Sequence, residues 1–370
     1  MREKVFFCFL LGYFSCAQAY VAQKSCDDCT KFQSCSAAMV LFSKREAAAN
    51  EKLQAAFCGY DGGLPMVCCN SLSTPEATTS RVEVVESVEG HPNLSLLPNN
   101  CGILDGNKIV GGRVAGLYEY PWMVLLSYRT KNGHQFNCGG SLINNRYVLT
   151  AAHCIVDQRL AGVRVGENDI DTDIDCEGEP PNRICEERLQ DIRVEQIIAH
   201  PGYRGKPRVR NDIALLRLKR PVFNHTNAQP ICLPVTSAMQ NRDIQIQDLN
   251  ATVAGWGFTE SGYTSSKLLT VDVPMRTKQS CSELYNRGGQ INGEDETANK
   301  LCAGTTGKDA CNGDSGGPLM IKGQYKNIPG SKYIQHGIVS YGPIKCGSDF
   351  PGVYTDVTKY MKWILDTIRQ

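Results

Sequence analysis

Residues 309–318 read DACNGDSGGP, which sets one serine, Ser315, among three glycines. Small residues on both sides let the backbone fold tightly enough to aim successive N–H groups at one point, as stabilising an oxyanion requires. Alone, the stretch is equally a glycine-rich turn. Its meaning depends on the rest of the chain, because a serine hydroxyl is a weak nucleophile at neutral pH and needs a base.

Two other segments offer partners. LTAAHC (149–154) puts His153 at the end of an apolar segment, and NDIALL (211–216) puts Asp212 at the head of another. His153 is the candidate base for the Ser315 proton, and Asp212 the candidate that fixes the imidazole tautomer and stabilises its charged form. Each has a plain structural alternative: a packed histidine, a strand-edge or turn aspartate, a turn serine. All three in the order His, Asp, Ser are improbable as coincidence.

The surroundings are β-rich. From Cys101 onward, short runs such as WMVLLSYR (122–129), VRVGE (163–167) and HGIVSYG (336–342) alternate with Gly, Pro and Asn punctuation, the pattern of an all-β domain. Its length, roughly 260 residues, suits a large β domain or a pair of barrels. One helix is predicted at the C-terminus. There Val357, Met361, Ile364 and Ile368 recur at helical spacing behind a Thr355 or Asp356 cap, a stripe read as packing.

Upstream, residues 1–19 carry a charged start (MREK), the apolar run VFFCFLLGYF and the small-x-small signal Ala17-Gln18-Ala19, which together read as a removable export leader. No later run approaches about 18 apolar residues, so the mature chain is expected to be soluble and not membrane-anchored. Export favours disulfides. Of the 18 cysteines, Cys8 and Cys16 leave with the leader, and an even sixteen remain. Six of them crowd between Cys26 and Cys69, the density of a small domain stapled by three bridges; fifteen connectivities are open to it. CDDC (26–29) lacks the matching His or CxxC partner of a zinc site. Residues 70–100, poor in aromatics and rich in Ser, Thr, Pro, Glu and Asn, read as a linker. Asn93, Asn224 and Asn250 head candidate glycosylation sequons. A net charge of +1 argues against a nucleic-acid partner.

One stretch resists this reading. GNKIVGGRVAG (106–116) places apolar Ile109 and Val110 directly after Lys108 in a Gly- and Asn-flanked segment, a poor way to bury apolar surface. IVGG (109–112), TAAHC (150–154), DIALL (212–216), CNGDSGGP (311–318) and PGVYT (351–355) together resemble the chymotrypsin/trypsin-like serine proteases over roughly residues 101–370. The resemblance implies two six-stranded antiparallel β-barrels with the catalytic residues in the cleft between them. It implies His153 as general base and acid, Asp212 as its orienting carboxylate, Ser315 as nucleophile, and the Gly313 and Ser315 N–H groups as oxyanion hole. Asp309 stands where trypsin-like members carry the pocket-floor carboxylate, and Gly342 and Gly352 match the wall glycines. An anion there selects Arg or Lys. Tyr341, where many relatives have Trp, and a slightly long YGPIKC loop are departures that bear on subsites. Cleavage after Lys108 would free the Ile109 amine to pair with Asp314 and draw the Gly313–Ser315 backbone into oxyanion-hole geometry.

The six-cysteine cluster resembles the clip domain of arthropod clip-domain serine proteases, among them the prophenoloxidase-activating and Easter-like ones. That implies Cys26–Cys68, Cys29–Cys58 and Cys35–Cys69 in the clip domain. For the protease it implies Cys101–Cys232, Cys138–Cys154, Cys281–Cys302 and Cys311–Cys346, with an extra Cys176–Cys185 pair closing a short acidic loop. The domain plan becomes leader 1–19, clip domain 20–69, linker and activation segment 70–108, protease domain 109–370. The loop GENDIDTDIDCEGE (166–179) carries seven carboxylates and is a candidate calcium site including Glu167; a solvated acidic loop or exosite is the competing reading. No cofactor is needed for catalysis. The expected protein is a secreted zymogen, haemolymph-borne by resemblance, that cleaves after Arg or Lys in a precursor of an immune or developmental cascade: a prophenoloxidase or a Toll-pathway cytokine precursor. An upstream trypsin-like protease would activate it, and a serpin would inhibit it. Competing readings are a catalytically weak binding cofactor, which typically loses a triad residue, and a digestive trypsin, which gives no reason for the N-terminal domain.

Overall fold

The computed structural model describes residues 26, 28–44, 47–72, 86–103, 113–131, 133–186, 188–206, 208–223, 225–246, 249–259, 263–287, 299–305, 313–342 and 350–370. The leader, Lys108, Ile109, Asn224, Asp309, Cys311 and Cys346 lie outside the described residues. The chain forms two compact units, Met1–Val84 and Val85–Gln370.

In the first unit, β1 (Cys29–Lys31), β2 (Phe57–Asp61) and β3 (Leu64–Cys68) form an antiparallel sheet in the order β1-β3-β2, accompanied by α1 (Ser36–Lys44), α2 (Ala47–Ala55) and α3 (Cys69–Leu72). Gly62 and Gly63 turn the β2–β3 hairpin with φ of +58° and +82°, the left-handed pair that a two-residue turn requires. Among the described residues the buried hydrophobics of this unit are few: Cys35, Ala38 and Val67 form one cluster, with Ala56, Phe57, Cys58 and Cys68 also buried. So small a core leaves stability to the bridges Cys26–Cys68, Cys29–Cys58 and Cys35–Cys69, which restrict the unfolded chain.

The second unit opens its strand run with β4 (Arg113–Val114), β5 (Met123–Thr130), β6 (Gly133–Asn144), β7 (Tyr147–Thr150), β8 (Leu160–Val165), the short pair β9 (Cys176–Glu177) and β10 (Ile184–Cys185), β11 (Gln190–Ala199) and β12 (Ala214–Leu218). Six of these close a barrel in the order β11-β12-β7-β6-β5-β8. Next come α4 (Ser237–Gln240), β13 (Asn250–Gly255), β14 (Leu269–Arg276), α5 (Lys278–Arg287), β15 (Lys300–Ala303), β16 (Pro318–Gln324), β17 (Ser331–Tyr341) and β18 (Gly352–Asp356). They form a sheet in the order β13-β16-β17-β18-β15-β14-β4, which the β13–β14 pairing closes into a second six-stranded barrel with β4 appended. Both barrels are antiparallel, as the resemblance implies.

The C-terminal stripe is core. Val357, Met361, Ile364 and Ile368 are fully buried, and Asp356 caps the turn Val357–Tyr360 by accepting the Thr358 N–H at 3.0 Å before α6 (Met361–Thr367) begins.

The linker expectation needs correction for residues 86–103, which are built into the second unit. Val88 and Leu97 are buried in its core, Asn144 Nδ2 donates to the Leu96 carbonyl at 3.2 Å, and Cys101 is bonded to Cys232. The polar composition of this stretch conceals enough apolar side chains, Val88, Leu94, Leu96 and Leu97, to repay its ordering. Among the described residues no helix is long and apolar enough to cross a membrane.

Candidate active site

His153 sits in the 3-10 turn Ala152–Cys154 that ends β7. The turn is held by the Cys138–Cys154 bridge and by Tyr128, whose hydroxyl donates to the Cys154 carbonyl at 2.8 Å. Asp212 precedes β12 and is 2% exposed. Its placement is set next door, where Asn211 takes φ of +50°, a conformation asparagine tolerates. Asn211 Nδ2 donates to the Gly202 carbonyl at 2.8 Å, and the Tyr360 hydroxyl donates to Asn211 Oδ1 at 2.8 Å.

The two side chains meet. Asp212 Oδ1 accepts the His153 backbone N–H at 2.9 Å, and Oδ2 lies 2.8 Å from Nδ1. An ionised carboxylate only accepts, so Nδ1 carries the proton and Nε2 is left as the basic nitrogen. The Ser340 hydroxyl donates to the same Oδ2, and the Thr355 hydroxyl donates to the Asp212 carbonyl at 2.8 Å. These two hydroxyls, on β17 and β18, fasten an aspartate of the first barrel to strands of the second. Sequence reading missed both, since nothing in HGIVSYG or PGVYT distinguishes them from ordinary strand residues.

Ser315 lies on the turn before β16. Gly313 and Gly316 take φ of +100° and +81°, open to glycine but strained for other residues. A Cβ at Gly316 would come within 2.2 Å of Thr150 Oγ1 and 2.5 Å of the Gly139 carbonyl, so the turn presses against β6 and β7. The Gly139 N–H donates to the Ser315 carbonyl at 2.8 Å, locking that contact. Asp314 Oδ1 accepts the Gly257 N–H at 2.9 Å. Ser315, His153 and Asp212 line one cavity of about 370 Å³ together with Ser340, Gly342 and Gly352. The structure thus unites the three separated segments, with two wall glycines beside them. Tyr341, the departure from the Trp of many relatives, lines the same cavity, and Lys300 Nζ donates to its hydroxyl at 3.1 Å.

The acidic loop divides in two. Asp171, Asp173 and Glu179 are exposed, whereas Glu167 and Asp175 are buried. Glu167 accepts from Arg164 Nη1 at 3.2 Å and from the Asn168 N–H at 3.1 Å; Asp175 Oδ2 accepts the N–H groups of Asn168 and Asp169 at 3.0 and 2.7 Å. Burial, then the charge of Asp175, pushes Glu167 up to about 7. A further carboxylate lies beside them: Glu186, pushed up to about 8 by burial and then by Asp175, Glu167 and Glu177, with a buried Oε2 that has no hydrogen-bond partner among the described residues. Carboxylate oxygens are the donors calcium takes, yet among the described residues no three of these carboxylates bring oxygens within 4.8 Å of one another. Glu186 lies outside the 166–179 run. Its only sequence signal is that it follows Cys185, which the bridge to Cys176 folds back onto the loop.

The remaining site residues are dispersed. Cys281 is bonded to Cys302. Asn250 is exposed at the start of β13. Asn93 is half-buried and Nδ2, the atom a glycan would occupy, donates to the carbonyls of Leu365 and Ile368 at 2.8 and 3.2 Å, which counts against its modification.

Comparison with known proteins agrees with this geometry. The Trypsin family model matches residues 109–364. Phenoloxidase-activating enzyme 1 of Spodoptera litura is 39% identical over 328 residues, covering 84% of this chain and 82% of the relative. Melanization protease 1 of Drosophila melanogaster is 38% identical over 373 residues, covering 92% and 90%. The crystal structure of the Drosophila Grass clip serine protease of the Toll pathway superposes with a TM-score of 0.64 at 32% identity, covering 92% of this chain and 93% of that one. The chain belongs to the trypsin family of serine endopeptidases, among the arthropod clip-domain serine proteases.

Proposed function

We propose that this protein is a secreted zymogen, activated by cleavage between Lys108 and Ile109, that hydrolyses peptide bonds after Arg or Lys in a precursor protein of an extracellular immune or developmental cascade. The observation that carries the reading is the His153–Asp212 pair, 2.8 Å apart, in one cavity with Ser315 and the wall glycines. In the forward step His153 Nε2 takes the proton of Ser315 Oγ as that oxygen adds to the scissile carbonyl, and Asp212 stabilises the imidazolium. The N–H groups of Gly313 and Ser315 receive the oxyanion. His153 then returns the proton to the leaving amine, and water repeats the sequence on the acyl-enzyme. Asp309 supplies the anion that selects a cationic side chain. The freed Ile109 amine, with a reference pKa of about 7.7 to 8.0 and so largely charged at neutral pH, pairs with Asp314.

The names of the relatives support a place in phenoloxidase activation, melanization or Toll signalling; in such a place the substrate is a precursor protein, the activator an upstream trypsin-like protease and the inhibitor a serpin. The acidic loop, with Glu167 among its ligands, would hold one structural calcium once its carboxylates draw together around the ion. The decisive experiment cuts the purified chain at Lys108 and measures hydrolysis of Arg, Lys and Phe peptides by wild type and Ser315→Ala. Hydrolysis after Arg and Lys alone, lost in the variant, is expected; an inactive cut wild type would leave the binding-cofactor reading.

A further inference from the structure

The first-barrel side of the catalytic cavity carries a charge that the reaction does not use. Between β11 and β12 the chain forms a tight hairpin in which Arg204 and Arg210 exchange backbone hydrogen bonds of 3.0 and 2.9 Å. The segment between 204 and 210 reads RGKPRVR, four cations without a carboxylate. Tyr203, Lys206 and Val209 line the same cavity as Ser315, and Lys206 is exposed and makes no ion pair among the described residues. The carboxylates near enough to act on Tyr203 are Asp212 and Asp157, and the first is engaged by His153 and Ser340.

We propose that Lys206 is a specificity-determining residue that selects substrates with an acidic side chain three residues before the basic residue at the cleaved bond. The inference rests on the Arg/Lys reading above. Along an extended substrate, side chains alternate between opposite sides, so the residue three positions back points away from the side the cleaved residue enters. Gly342 and Gly352 of the second barrel, which the Arg/Lys reading makes the walls for the cleaved side chain, line the same cavity as Tyr203, Lys206 and Val209 of the first, so a side chain turned away from the glycines faces the first barrel. Three extended residues span about 10 Å, and the long flexible stem of a cavity-lining lysine gives its ammonium the reach to meet a carboxylate on the substrate. The pairing discriminates twice, because the same ammonium repels a basic side chain at that position. Leu104-Asp105-Gly106-Asn107-Lys108 places the chain's own activation segment in the preferred class, with Asp105 three residues before Lys108.

The test uses the full chain, cut by an immobilised lysine-specific endopeptidase that is then removed. Reporter peptides Leu-Asp-Gly-Asn-Lys and Leu-Ser-Gly-Asn-Lys are compared by kcat/KM, with a single-residue lysine reporter alongside. Wild type is expected to favour the aspartate peptide by about tenfold at low ionic strength. That ratio should approach one in Lys206→Glu, fall in Lys206→Gln, which keeps the stem and removes the charge, and shrink for wild type in about 0.5 M salt. A wild-type ratio near one, or a ratio unchanged in both variants, overturns the proposal. Failure of wild type on all three reporters would instead overturn the Arg/Lys reading beneath it.

Discussion

The carboxylate of Asp314 accepts the backbone N–H of Gly257 at 2.9 Å, and the glycine has no room for anything larger. A Cβ at Gly257 would come within 2.6 Å of both Asp314 carboxylate oxygens, and one at Gly255 within 2.1 Å of Oδ1. Asp314 is covalently next to Ser315, so a displaced carboxylate drags the oxyanion-hole backbone with it. Gly257→Ala is expected to fold and to be cut at Lys108, yet to lose at least about tenfold in kcat, since one oxyanion donor is worth about 10²–10³. Active-site titration beside a thermal melt checks this; a cut variant with full activity would show that Asp314 tolerates the shift.

The hydroxyl of Ser340 gives a second prediction, because it is one of three donors to a carboxylate that is only 2% exposed. Ser340→Ala removes one hydrogen bond to a charged group and leaves both His153 contacts. The expected cost is about 1.5–3 kcal/mol, roughly tenfold to a hundredfold, because bonds to charged groups carry that weight. The loss should fall on kcat more than on KM, as the bond holds the base and not the substrate. An unchanged kcat would mean that His153 alone orients Asp212.

What was legible in the sequence was the chemistry that tolerates few residue types. Ser315 among glycines, His153 after an apolar segment and Asp212 before another announced themselves because each environment is restrictive. The hydroxyls of Ser340 and Thr355 did not, since any strand carries such residues and only the barrel closure aims them at Asp212. Glu186 was invisible for a similar reason: a disulfide, not proximity in sequence, brings it to Glu167 and Asp175. Residues 86–103 misled by composition, where a few apolar side chains among polar ones suffice to dock a segment whose partners lie far along the chain.

Asn93 makes that docking testable. Its Nδ2 donates to two carbonyls at the end of the C-terminal helix, and a glycan on that atom would leave both without their donor. Mass mapping of the protein purified from a glycosylating host is expected to find Asn93 unmodified, with exposed Asn250 the better acceptor. Asn93→Ala should lower stability by about 1–3 kcal/mol, the cost of leaving half-buried acceptors unpaired. A glycan mapped to Asn93 in the folded, active protein would show that residues 86–97 dock by their apolar side chains alone.

The carboxylate cluster sets a pH dependence whose sign is opposite to that of an ordinary ion pair. Glu186 is raised from 4.5 to about 8, and Glu167 from 4.5 to about 7, with burial first and neighbouring carboxylates second as causes. Below the ordinary glutamate range both states are protonated, and the cluster costs the fold nothing. Between about 4.5 and 8 the native state holds protons that the unfolded chain releases, so metal-free stability falls as pH rises through this window. Glu186→Gln removes one of the two groups, so in excess chelator its melting temperature should exceed wild type at pH 8 and match it near pH 4.5. Calcium bound at the proposed site would act in the reverse sense, because it takes ionised carboxylates: it should raise the wild-type melting temperature most at pH 8 and raise that of Glu186→Gln much less. A variant offset that is the same at both pH values would show that the orphaned Oε2 is neutralised by other means, and an identical calcium response in the two proteins would remove Glu186 from the ligand set.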